Sequence, residues 1–95
     1  MTLKTDGSVL IITDNIKSVD DFQKIKKELD AMKSTYTSIS IKIINSLSMT
    51  SSVIGYFMKL IHKDGISLSM SIGDERLINL LDELGLSSEF NVRKG

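Results

Sequence analysis

The residues best suited to chemistry in this chain are hydroxyls. From Ser46 to Ser52 the sequence reads SLSMTSS, four serines and a threonine, and it runs straight into SVIGYFMKLIHK, an apolar pattern with helical spacing. A hydroxyl at the mouth of a helix has two uses. It can accept from an unpaired backbone N–H, a cap worth about 0.5–2 kcal/mol. It can also carry a phosphate, held by the free N–H groups and the positive end of the helix dipole. Capping by Thr50, Ser51 or Ser52 accounts for one residue. A phosphate on another would set nearly two negative charges against any protein docking at the turn, with the fold left intact.

Other chemistry is sparse. The chain has no Cys, which excludes disulfides, thiolate metal sites and a cysteine nucleophile. The single histidine, His62, falls late in a helix and outside any HExxH pattern, so it reads as a surface residue and implies no metal. Asp20-Asp21 and Asp74-Glu75 stand at helix starts, where the macrodipole favours acids, and Asp82-Glu83 reads as a solvated face. Lys24, Lys26 and Lys27 are flanked by acids and read as a soluble helix surface. The glycines form no phosphate-binding fingerprint. Four of them suit turns or caps, but Gly55 falls inside a helix at a cost of about 0.8–1 kcal/mol relative to Ala, a placement that suits close approach by the sheet or by a partner. With no catalytic constellation in sight, the expectation is a non-enzymatic domain without cofactor or metal.

The elements that position these hydroxyls follow from periodicity. Thr2–Lys4 and Val9–Thr13 flank an Asp6-Gly7 turn signal and predict a hairpin. Ser18 with Asp21 three residues on resembles a capping box. Val19, Phe22, Ile25, Leu29 and Met32 then mark the apolar face of a helix from about Val19 to Lys33. SISIKII, Ser38 to Ile44, is a strand, followed by a helix from Ser52 to Lys63 that stops at Asp64-Gly65. In ISLSMSI, Ile66 to Ile72, apolar residues and serines alternate on opposite faces. A third helix carries Leu77, Ile78, Leu80, Leu81 and Leu84 and ends at Gly85, with Leu86 packing back over its end. Phe90–Val92 is a candidate last strand. The order β-β-α-β-α-β-α-(β) predicts an α/β domain with a mixed, mostly parallel sheet. The serine face of strand 66–72 predicts helices packed mainly on one side.

Size and charge set the remaining bounds. The chain has 95 residues, so one domain spanning 1–95 is expected. Lys plus Arg and Asp plus Glu stand at twelve each, which argues for neither nucleic acid nor an anionic membrane as partner. No apolar run approaches the roughly 18 residues of a membrane span, and MTLKTDGSVLIITDN has no signal-peptide core. A soluble cytoplasmic protein without membrane insertion is the expectation.

Against this frame, Ile39 to Phe90 resembles the STAS domain of sulfate transporters and bacterial anti-sigma-factor antagonists. The family turn reads roughly Asp-Ser-Ser-Gly-(apolar)-Gly, and here it is Thr50-Ser51-Ser52-Val53-Ile54-Gly55. The family's Leu-(x)-Gly-Leu-(x)-(x)-(x)-Phe tail corresponds here to Leu84-Gly85-Leu86-Ser87-Ser88-Glu89-Phe90. The hairpin and helix before Ile39 fit as well.

The resemblance implies a STAS-like fold and a phosphorylation-controlled binding module in signalling and transcription regulation. Its partner would be an anti-sigma factor that is also a serine kinase of the histidine-kinase-like ATPase type, with a serine phosphatase as a further candidate. Ser51 would be the phosphorylated residue. Asn15, Met49, Thr50, Ser51, Ser52, Gly55 and Tyr56 would form the partner-binding surface. Thr50 replaces the family Asp, Val53 the family Gly, and the Thr13-Asp14-Asn15 loop has no Gly. These departures motivate the alternative of a constitutive scaffold or regulatory subunit of a transport or membrane-associated complex.

Overall fold

A computed structural model describes residues 1–95. Five strands and three helices alternate as β1 (Thr2–Asp6), β2 (Val9–Thr13), α1 (Val19–Met32), β3 (Ser38–Ile44), α2 (Ser51–His62), β4 (Ser67–Ile72), α3 (Glu75–Glu83) and β5 (Val92–Lys94). The sheet order is β1-β2-β3-β4-β5, with β1 antiparallel to β2 and all other neighbours parallel.

This order fixes where the helices go. Each βαβ step moves one strand further in the same direction, and right-handed crossovers then stack every helix on the same face. Burial follows. Leu10 and Ile12 of β2, Ile39, Ile41 and Ile43 of β3, and Leu68, Met70 and Ile72 of β4 are all buried. Their sequence neighbours on the other face, among them Ser40, Lys42, Ser69 and Ser71, are half-buried or exposed. The covered residues join Ile25 and Leu29 of α1, Val53, Phe57 and Leu60 of α2, and Leu77 and Leu81 of α3 in one continuous core.

The helix ends obey local rules. Ser18 accepts from the Asp21 N–H at 3.0 Å and Asp21 accepts from the Ser18 N–H at 3.2 Å, a reciprocal capping box. At the end of α3, Gly85 has φ +73°, its N–H donates to Asp82 and the Leu86 N–H donates to Leu81. That is the Schellman pattern, and it returns Leu86 to the core.

Three expectations shift. The first strand runs two residues further, to Asp6, and α2 begins at Ser51 rather than Ser52. The last strand is Val92–Lys94, not Phe90–Val92. Phe90 instead ends a turn and packs edge-on against Phe57, with centroids 5.9 Å apart, so its apolar character serves the core and not the sheet. No helix is long and apolar enough to cross a membrane.

Candidate functional site

Parallel βα units place the N-termini of α1, α2 and α3 at one edge of the sheet, beyond the C-terminal ends of β2, β3 and β4. The loops that feed them are bound to one another. Asp14 and Asn45, the first residues after β2 and β3, both take left-handed backbone, φ +71° and +62°. Short polar side chains tolerate that region better than others do. The Asp14 N–H donates to the Ile44 carbonyl at 2.8 Å, and the Leu47 N–H donates to Asn15 Oδ1 at 2.9 Å. Ser46 completes the join. It is buried, and its Oγ accepts from the Ile16 N–H at 3.2 Å and donates to the Ser48 carbonyl at 2.8 Å.

The crowded hydroxyls therefore divide by task. Ser46 is an internal fastener. Thr50 is the N-cap of α2, its Oγ1 accepting from the Val53 N–H at 3.3 Å. Ser51 and Ser52 occupy the first turn, are exposed, and stand outside the cap. Behind them Gly55 is exposed on the same helix, and a Cβ there would meet nothing within 4 Å, so the sheet is not the reason for this glycine.

Met49 and Tyr56 are placed differently from the surface role that the resemblance implies. They are only 7% and 5% exposed. Tyr56 turns its ring toward Phe22 of α1 and donates its hydroxyl to the Asp30 carboxylate. Both support the surface from beneath. Val53, at the family's Gly position, is fully buried and points into the core, so its branched side chain does not reach a docking protein. Asn15 is half-buried and already engaged with Leu47.

Two apolar residues at this edge were not legible as surface. Val19 belongs by spacing to the buried stripe of α1, yet it is 76% exposed because it stands at the first helical position, before the helix meets the sheet. Leu47 is 42% exposed in the loop tied to Asn15. A lone apolar residue in a polar loop carries no periodic signal, so its exposure could not be read from the sequence.

The electrostatics single out α2. Helix α1 has Asp20 and Asp21 in its first turn, and α3 has Asp74 as cap and Glu75 after it. Helix α2 has no acid in its first turn. The Lys17 N–H holds the Asp21 carboxyl below the usual range, Ser18 adds to this, and burial opposes it. Asp74 is lowered by Arg76. At the start of α2 no acidic side chain answers the dipole. His62, at the far end of α2, is exposed and contacts Glu89. No three His, Asp or Glu side chains converge to hold a metal ion. The one cleft, of about 330 Å³, is lined by Met1, Thr2, Leu3, Lys24, Lys27 and Glu28, and includes none of the candidate residues.

No protein-family model and no characterised protein matches this chain. The STAS resemblance rests on the turn, the tail and the order of elements.

Proposed function

We propose that this domain is a non-enzymatic, STAS-like binding module whose docking surface is the α2 edge of the sheet and whose switch is phosphorylation of Ser51. The observation that carries the reading is the division of labour at the turn. Thr50 caps the helix, which leaves the Ser51 hydroxyl exposed at the first helical position. A phosphate there meets free N–H groups and an uncompensated dipole, so it adds charge without disturbing the core. Exposed Val19 and Leu47 at the same edge of the sheet would supply apolar contact, and Gly55 leaves the helix low enough for close approach. The partner is a serine kinase of the histidine-kinase-like type that also acts as an anti-sigma factor.

The test is intact-mass analysis after incubation with such a kinase from the same genome and ATP. One phosphate is gained by the native chain and none by Ser51→Ala. A native mass unchanged beside a working control substrate overturns the switch.

Thr50 supports a second reading, a constitutive scaffold. An Asp at this position would cap equally well, so what the chain lacks is only the acidic charge next to the hydroxyl. In that case Ser51→Asp leaves partner affinity unchanged, whereas under the switch it weakens binding at least tenfold.

A further inference from the structure

The side of the sheet away from the helices carries a line of cations. Strand register places Lys4, Ile11, Lys42, Ser71 and Arg93 in one row across all five strands. Lys4, Lys42 and Arg93 are exposed. Other lysines of the chain have carboxylate partners, such as Lys26 with Asp30, Lys33 with Asp64 and Lys94 with Glu75. None of the ion pairs in the structure involves Lys4, Lys42 or Arg93. The only strand carboxylate on this face is Asp6, which sits one row away, opposite Val9. Half-buried Ile11 lies between Lys4 and Lys42, and half-buried Val9 and Ile44 flank the row on the same face.

We infer that this open face binds an acidic, amphipathic helix of a partner protein, laid across the strands with carboxylates over Lys4, Lys42 and Arg93. The spacing fits. The cations stand on alternate strands, about 9.6 Å apart at two strand spacings, and residues seven apart on a helix are separated by about 10.5 Å. Apolar residues between the acids would cover Val9, Ile11 and Ile44.

Two other anionic partners fit less well. A bilayer surface draws on net basic charge, and here Lys plus Arg and Asp plus Glu stand at twelve each. None of the five aromatic residues lies in a strand, so the face has no platform for stacking bases. This surface is separate from Ser51, and the inference stands without the phosphorylation reading.

The experiment uses the full chain and a fluorescein-labelled helical peptide of about 20 residues with Glu at every seventh position, Leu between and Lys-free flanks, followed by anisotropy. The native chain binds saturably, and binding weakens when salt rises from low to physiological levels. Lys42→Glu weakens it at least tenfold, and Lys4→Glu and Arg93→Glu weaken it by smaller factors. Lys27→Glu and Lys63→Glu, at exposed unpaired lysines of the helical side, leave it within twofold. Thermal unfolding confirms that each variant is folded. Absence of saturable binding overturns the inference. So does equal loss in the Lys27 and Lys63 controls, or tighter binding of phosphatidylglycerol vesicles or an oligothymidine at matched salt.

Discussion

The Ser46 hydroxyl accepts from the Ile16 backbone N–H, 3.2 Å away and 30 residues earlier in the chain. It joins the loop after β2 to the loop after β3, and its own proton goes to Ser48. Ser46→Ala leaves a buried N–H without a partner and frees a carbonyl, at a cost of about 1–3 kcal/mol. Urea denaturation reads this as a lower midpoint at unchanged slope. A loss below about 0.5 kcal/mol would mean that water replaces the hydroxyl.

Tyr56 and Asp30 join α2 to α1 in a similar way. Burial pushes the Asp30 carboxyl up, but hydrogen bonds from Tyr56, Lys26 and Lys33 outweigh it and hold the group at about 2. Burial raises the Tyr56 hydroxyl, and Asp30 raises it further. A carboxyl lowered on folding adds stability above its unfolded value near 4, and this is lost as pH falls toward 2. Tyr56→Phe is expected to cost about 0.5–1.5 kcal/mol at neutral pH. It should also flatten the loss of stability between about pH 4 and 2, because one of the bonds depressing Asp30 is gone. Denaturant titrations at several pH values compare the two slopes, and parallel curves would remove Tyr56 from the acid response.

Backbone conformation at Asn45 gives a third expectation. Its φ of +62° turns the chain sharply out of β3 toward the hydroxyl loop. Asn45→Ala should cost about 1 kcal/mol, since a Cβ without a local polar bond is disfavoured there. Asn45→Gly should change stability little, because relief at the turn is offset by freedom gained in the unfolded chain. Thermal melts of both variants check the pair, and equal losses would show that the side chain matters more than the backbone angle.

What could be read from residues alone was local. The Ser18–Asp21 box spans one helical turn, the alternation of Leu68, Met70 and Ile72 with serines spans one strand, and Gly85-Leu86 spans one cap. Each signal lies within a few neighbouring residues, which share a face by geometry. The parallel pairing of β3 with β4 followed once the two were joined through a helix, and the strand order came from the fold. The contacts that shape the candidate site are of another kind. Ser46 reaches Ile16, Asn15 reaches Leu47 and Tyr56 reaches Asp30 across 26 to 32 residues. Such pairs leave no periodicity, so nothing in the sequence set Ser46 apart from the other hydroxyls or opposed the surface place that the resemblance implies for Tyr56. Which of Thr50, Ser51 and Ser52 caps α2 was equally unreadable, because all three types can accept the bond.

That assignment of the cap makes Thr50 the most informative position for the proposed switch. Its Oγ1 holds the Val53 N–H at 3.3 Å, so Thr50→Ala should lower stability by about 0.5–2 kcal/mol. Thr50→Asp introduces the acid that the STAS turn carries, keeps an oxygen in capping position, and brings negative charge to a helix start that has none. It should be at least as stable as the native chain, by up to about 1 kcal/mol through the dipole. If the missing acid limits recognition of Ser51, the same variant takes up phosphate faster from a serine kinase, followed by intact mass over time. Stability and phosphate transfer separate the two roles of the residue. A stable Thr50→Asp with an unchanged rate means that the kinase does not read the acid. A destabilised one means that the Thr50 methyl group, and not its hydroxyl, orders the turn.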